Sequence, residues 1–185
     1  YHLGEGRYDS AEQLIRTLLA EAGQDLSAIP LAPVAGAGVE AEADWADLRS
    51  PEAYIGYDKA ESFRSSGGLR RNKPVAYAAA ARRPLNGWDL AGMWTVGREF
   101  ATLDDPAGAI RFRFHARDGH LVLGGAPDGR PVRFRVTIDG AAPGADHGVD
   151  VDAEGRGMVK EDRLYQLVRQ QGAIGDRTVR IEFFG

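Results

Sequence analysis

A chain of 185 residues that is 43% hydrophobic can bury one good core with length to spare. Its formal charge of −4 gives no overall pull toward nucleic acid or an acidic membrane surface. The absence of cysteine excludes disulfides, thiolate metal sites and any thiol redox or nucleophilic chemistry within it.

No apolar run is long enough to span a bilayer, and no signal-peptide pattern opens the sequence. The first residue is Tyr1 rather than Met, which leads us to expect a piece of a longer protein. Residues 1–6 are Gly-rich and deliver the chain into a helix expected over residues 9–22. Ser10 followed by Gln13 fits a capping box, and Gly23 supplies a stop. Leu14, Ile15, Leu18 and Leu19 recur at helical spacing and form one apolar stripe. A short helix draws most of its stability from burying such a stripe. Its cover is expected on the β domain that follows, on the linker, or on a second copy of the chain in a homodimer.

Residues 26–47 mix Pro, Ala, Gly and acid without a period and read as a linker, pinned where Trp45 or Ile29 docks. The expected organisation is therefore a helical segment at 1–25, a linker at 26–49 and a β domain at 50–185. Strand signals accumulate after Ser50. Residues 92–103 read as a strand following a turn at Asn86-Gly87. Residues 110–117 alternate, with Ile110, Phe112, Phe114 and Ala116 inward and Arg111, Arg113, His115 and Arg117 outward. Asp118-Gly119 predicts a hairpin that brings residues 120–123 back as a partner, with His115 and His120 able to meet across it. Residues 131–139 alternate again, and 163–170 and 178–184 complete the set. With no helices between the strands, the pattern predicts a mainly β fold, an antiparallel sandwich of jelly-roll type.

Three features could carry chemistry. Asp150, Asp152, Glu154, Gly155 and Glu161 approach a calcium-loop spacing, but Glu at the fifth position, Gly157 at the eighth and strand-like flanks favour an acidic hairpin loop. Arg111, Arg113, Arg133 and Arg135 would form a basic stripe if their strands pair, and otherwise a solvated face balanced by Glu182 and Asp139. Among the aromatics, Trp88 stands beside Asn86 and Asp89 in an apparent turn, a combination suited to a sugar ring, with Tyr165 and Arg163 as companions. Trp94 begins an alternating run with Val96 and Phe100 and reads as core. The four histidines have no metal spacing, and no nucleophile elbow, phosphate loop or dinucleotide fingerprint is present. Neither catalysis nor a cofactor nor a resident metal is expected.

Several segments in order, GEGRYDSAEQLIRTLL, SPEAYIGYDKAESF, NGWDLAGMWTVGREFATL, IRFRFHARDGHLVL, VRFRVTIDG and GVDVDAEGRGMVKEDRLYQLVRQ, resemble the C-terminal region of DipZ-type thioredoxin-family proteins. The resemblance implies that the helix ends a thioredoxin-like domain, and that residues 50–185 form a sandwich resembling a carbohydrate-binding module. It also implies a family redox Cys-x-x-Cys upstream that nothing here matches, a longer tail beyond Gly185, and an extracytoplasmic location. The expected function is a non-catalytic accessory domain of a thiol–disulfide interchange protein, taking carbohydrate at Trp88, Asn86, Asp89, Tyr165 and Arg163. Two alternatives stand beside it: docking on the redox domain or its protein substrate, and a thiol–disulfide oxidoreductase activity that belongs to the parent alone. Neither nucleic acid nor a membrane is an expected partner.

Overall fold

A computed structural model of the chain describes residues 8–32 and 36–184. The Gly-rich lead-in over residues 1–6, and His2 with it, lies outside the described residues. By internal contacts the chain divides into two compact units, Tyr1–Ala43 and Asp44–Gly185.

The first unit carries helix α1, Tyr8–Glu21. Because the helix is already formed at Tyr8, Ser10 sits inside its first turns and is not the residue that caps it. The C-terminal stop is as expected. Gly23 turns left-handed at φ +83°, its N–H donates to Ala20 O at 2.9 Å, and Gln24 N–H donates to Leu19 O at 3.0 Å. That pair of bonds is a Schellman motif, which glycine completes without a Cβ penalty. Leu14, Ile15 and Leu18 are all more than half exposed. The following segment folds back through polar groups: Arg16 donates to Ile29 O, and Ala32 N–H donates to the Glu12 carboxylate at 3.0 Å. The Ile29 side chain is exposed, and so is Trp45 in the second unit. Neither pins the linker.

The second unit contains β1 (Val75–Tyr77), β2 (Trp88–Val96), β3 (Ala101–Leu103), β4 (Ala107–His115), β5 (Asp118–Leu123), β6 (Val132–Ile138), β7 (Arg156–Val159), β8 (Arg163–Arg169) and β9 (Asp176–Phe184). They form an antiparallel β-sandwich. The larger sheet runs β1-β2-β4-β9-β6-β7 with β3 paired to β2, and β5 pairs with β8 in a smaller sheet. Alternation sets the register, since a one-residue slip would turn every apolar side chain outward. Ile110 and Phe114 of β4, Phe134, Val136 and Ile138 of β6, and Val179, Ile181 and Phe183 of β9 all face one core, joined by Tyr165 and Leu167 of β8.

Two expectations about the strands need correction. The strand expected over residues 92–103 begins at Trp88 and breaks at Gly97, whose N–H closes a turn on Phe100 O at 2.8 Å. Trp94 is core as expected, but Phe100 is exposed next to that turn. Asp118-Gly119 is not a hairpin turn: the chain crosses there from the larger sheet to the smaller, so β5 pairs with β8 and not with β4. His115 and His120 consequently lie on different sheets. The arginine stripe is conditional on β4 pairing with β6; each pairs instead with β9, which lies between them, so that condition is not met.

Gly92 is where β2 changes partners, pairing with β4 up to Ala91 and with β1 and β3 beyond. It adopts φ +99°, and a Cβ there would stand 2.9 Å from Ala107 O. A left-handed, tightly approached position of this kind accepts only glycine without strain.

The entry to the sandwich is held by a histidine between two carboxylates. His115 is 5% exposed, with Nδ1 2.7 Å from Asp176 Oδ1 and Nε2 3.0 Å from Asp47 Oδ1. Ser50 Oγ accepts the His115 N–H at 2.8 Å, and Arg49 N–H donates to His115 O at 3.0 Å. The hydrogen bonds to Asp176 and then Asp47 raise the imidazole pKa above 6.5, and the bond to His115 is the main cause lowering both carboxyls. A raised histidine contributes stability that is full below its unfolded pKa and is lost as pH climbs through the folded one. The lowered carboxylates contribute above about pH 4 and lose their share as pH falls. The clamp is therefore strongest between about pH 4 and 6.5. His115→Gln is expected to destabilise the chain more at pH 6 than at pH 8.5, measured by urea unfolding at both. An equal loss at both pH values would mean that the imidazole is not charged in the folded chain.

Candidate functional site

The five residues that sequence reading grouped as a ligand surface fall into two separate places. Trp88 opens β2 with its ring in the core, 2% exposed. Its indole N–H donates to Glu61 O at 2.7 Å, and Phe63 meets it edge to face at 4.7 Å between centroids. The alternation of β2 requires this: Trp88, Leu90, Trp94 and Val96 share the inward face. Trp88 cannot offer a platform to a sugar.

Asp89 points the other way and is equally closed, with no exposed surface. It accepts from Arg83 Nη1 and Arg111 Nε, each at 2.7 Å. Asn86 stands in a turn at φ +64°, and its side chain accepts from Ser50 Oγ at 2.6 Å. It fastens the chain and is not free for a ligand.

Tyr165 and Arg163 belong to β8, in a different part of the sandwich. The Tyr165 ring is 1% exposed, and its hydroxyl donates to Glu161 O at 2.9 Å while accepting from Lys160 N–H at 3.2 Å. Burial removes Trp88 and Asp89 from direct ligand contact, whereas Tyr165, though almost fully buried, lines the same cleft as Arg163. Of the five, Arg163 keeps an accessible charged group, and Asn86 is half-buried with its side chain engaged by Ser50 and Arg49. Its guanidinium lies 3.8 Å from the Tyr165 ring centroid, donates to Asp150 Oδ1 at 2.6 Å and Glu161 Oε1 at 3.2 Å, and reaches Leu164 O at 2.9 Å. Of the five N–H donors of a guanidinium, these bonds use three.

Arg163 lines an open cleft of about 420 Å³ together with Asp150, Asp152, Lys160 and Glu161. Val149 and Met158 also line it, and both carry exposed apolar surface. Burial pushes the Asp150 carboxyl up, but hydrogen bonds from Arg163 and from Gln166 N–H outweigh it and hold the group below the ordinary carboxylate range. The hydrogen bond to Asp150 leads the causes that raise the Arg163 pKa, so the guanidinium stays charged at any ordinary pH. The site is thus a fixed, planar, charged group flanked by acceptors, a second cation and apolar edges. Such a surface suits a ligand carrying both hydroxyls and C–H faces.

The acidic loop beside it is the hairpin that its sequence suggested. Gly155 N–H donates to Asp152 O at 2.9 Å at the turn, and Asp152 Oδ1 accepts from Arg156 N–H at 2.7 Å. Asp150 is committed to Arg163 and Gln166 N–H. The two carboxylates are turned to different partners and do not converge on one point. Sequence reading missed Asp150 as the partner of Arg163, because only the loop's path along β8 brings them together. It also missed Arg82 and Arg83, which sit in a stretch without period; the adjacent arginines before Pro84 were the one available signal.

Comparison with known proteins fits this architecture. Two mycobacterial proteins named Protein DipZ, from Mycobacterium bovis and from Mycobacterium tuberculosis, are each 26% identical over 140 residues. The match covers 72% of this chain but only 19% of either relative, so the chain spans about a fifth of their length. A family model described as the thioredoxin-like C-terminal domain matches residues 50–185, the sandwich together with its entry segment. The chain belongs to the family of thioredoxin-like C-terminal domains.

Proposed function

We propose that this chain is a non-catalytic accessory region of an extracytoplasmic thiol–disulfide interchange protein, and that it binds carbohydrate at the Arg163 cleft. In this reading α1 ends a thioredoxin-like domain whose cysteines lie elsewhere in the parent, and the sandwich supplies binding. With no cysteine, the chain has no thiol of its own to exchange.

The observation that carries the reading is the arrangement around Arg163. Its guanidinium is stacked on Tyr165 and held by Asp150 and Glu161, so it is pre-organised at little further entropic cost. Val149 and Met158 give the apolar contact that a sugar's C–H face requires, while Asp152, Lys160 and Glu161 offer hydrogen bonds to its hydroxyls. A glycan array probed with the intact chain is expected to give a restricted set of bound glycans. Arg163→Ala is expected to weaken them about tenfold, the worth of one charge-assisted hydrogen bond of about 1.5 kcal/mol. Binding to no glycan would contradict the carbohydrate reading and favour docking on the redox domain.

A further inference from the structure

A second cleft, sharing no lining residue with the first, has the opposite electrostatic character. The segment after β1 passes over the outer face of the larger sheet, where Ala80 O accepts from both Arg83 Nη1 at 3.1 Å and Arg111 Nη2 at 3.0 Å. Beneath it, the fully buried Asp89 carboxylate grips the same two guanidiniums. Ala81, Arg82, Arg83 and Pro84 then face Arg113 of β4 and Thr178 of β9 across an open cleft of about 610 Å³. No acidic residue lines it.

The charges here do not balance. Arg82, Arg83, Arg111 and Arg113 bring four guanidiniums against two carboxylates, Asp89 and Asp176, and Asp176 is shared between Arg113 and His115. Arg82 has no ion-pair or hydrogen-bond partner among the described residues. Arg83 Nε is buried with no acceptor, an arrangement that costs about 1–3 kcal/mol for an ordinary buried donor and more for a charged one. Arg83 and Arg111 are each less than one-fifth exposed, so solvent screens their surplus charge poorly. A planar donor set held rigid by a buried carboxylate is the chemistry that recognises tetrahedral or planar oxyanions.

We propose that this cleft binds a small oxyanion, the phosphate of a monoester or the carboxylate of an acidic sugar, through Arg82, Arg83, Arg113 and the Thr178 hydroxyl. Asp89 is a positioning residue for that site, since it fixes Arg83 and touches no ligand. The proposal is independent of carbohydrate binding at Arg163, because its residues are different and shift mapping reads the two clefts separately.

Titration of the intact chain with inorganic phosphate and, separately, with glucuronate at constant ionic strength tests it by amide chemical-shift mapping. Saturable shifts at Arg82, Arg83, Arg113 and Thr178 are expected from at least one anion, with sodium chloride giving none. Saturation by phosphate alone identifies a phosphate ester as the ligand class, and saturation by glucuronate alone identifies a carboxylate. Arg82 is exposed, and Arg82→Gln removes no hydrogen bond or ion pair among the described residues, so the variant is expected to fold. It is expected to weaken binding about two- to fivefold, and Arg82→Gln with Arg113→Gln to abolish saturation. Saturation by neither anion overturns the proposal, as does unchanged affinity in Arg82→Gln.

Discussion

Asp89→Asn is expected to cost about 3–5 kcal/mol of folding stability, the largest single effect of a polar substitution in the chain. The reason lies in what the carboxylate leaves behind. Asp89 has no exposed surface and holds two guanidiniums that are themselves mostly buried. Removing its charge strands both cations against a low-dielectric sheet face, and the penalty is theirs more than the lost attraction. The exposed pair Arg130–Asp128, at 83% and 51%, sets the contrast: its removal is expected to cost less than about 1 kcal/mol. Urea unfolding of the two variants beside the parent measures the difference. Equal, small losses would mean that water reaches the Asp89 cluster and that the segment over it is not closed.

Trp88→Ala is expected to cost about 3–5 kcal/mol as well, by a different route. The ring fills the core beside Phe63 and is bonded to Glu61 O, so truncation leaves a cavity and an unmet carbonyl. Trp88→Phe keeps most of the volume and loses only the N–H, for an expected loss of about 1–3 kcal/mol. Thermal or urea unfolding separates the two variants. A Trp88→Ala chain as stable as the parent would place the ring outside the core.

What the sequence made legible follows the strength of each local signal. The alternation in residues 110–117 and 131–139 assigns inward faces that the structure keeps, because period-2 burial is a direct physical constraint. His115, however, expected on the outward face, is buried between Asp176 and Asp47. The Gly23 stop was legible for the same kind of reason, since a left-handed terminus admits few residues. Pairing was not legible. Asp118-Gly119 has hairpin chemistry, yet the chain uses it to change sheets, and nothing local distinguishes the two uses. The role of Trp88 failed similarly: its polar neighbours Asn86 and Asp89 suggested a surface, but one fastens Ser50 and the other anchors arginines across the sheet. Strand alternation separates a buried tryptophan from a buried aspartate by one position, so neighbours in sequence are not neighbours in space. Arg163 was legible as a candidate only through its residue type, while its partner Asp150 is thirteen positions away.

We propose that the sandwich binds carbohydrate at the Arg163 cleft, while Trp88 serves the core. One glycan array, run with the parent chain, Arg163→Ala and Trp88→Phe after each is verified as folded, tests both halves together. Trp88→Phe is expected to bind the same glycans as the parent, and Arg163→Ala to bind them about tenfold more weakly. Loss of binding in folded Trp88→Phe with retention in Arg163→Ala would contradict the proposal.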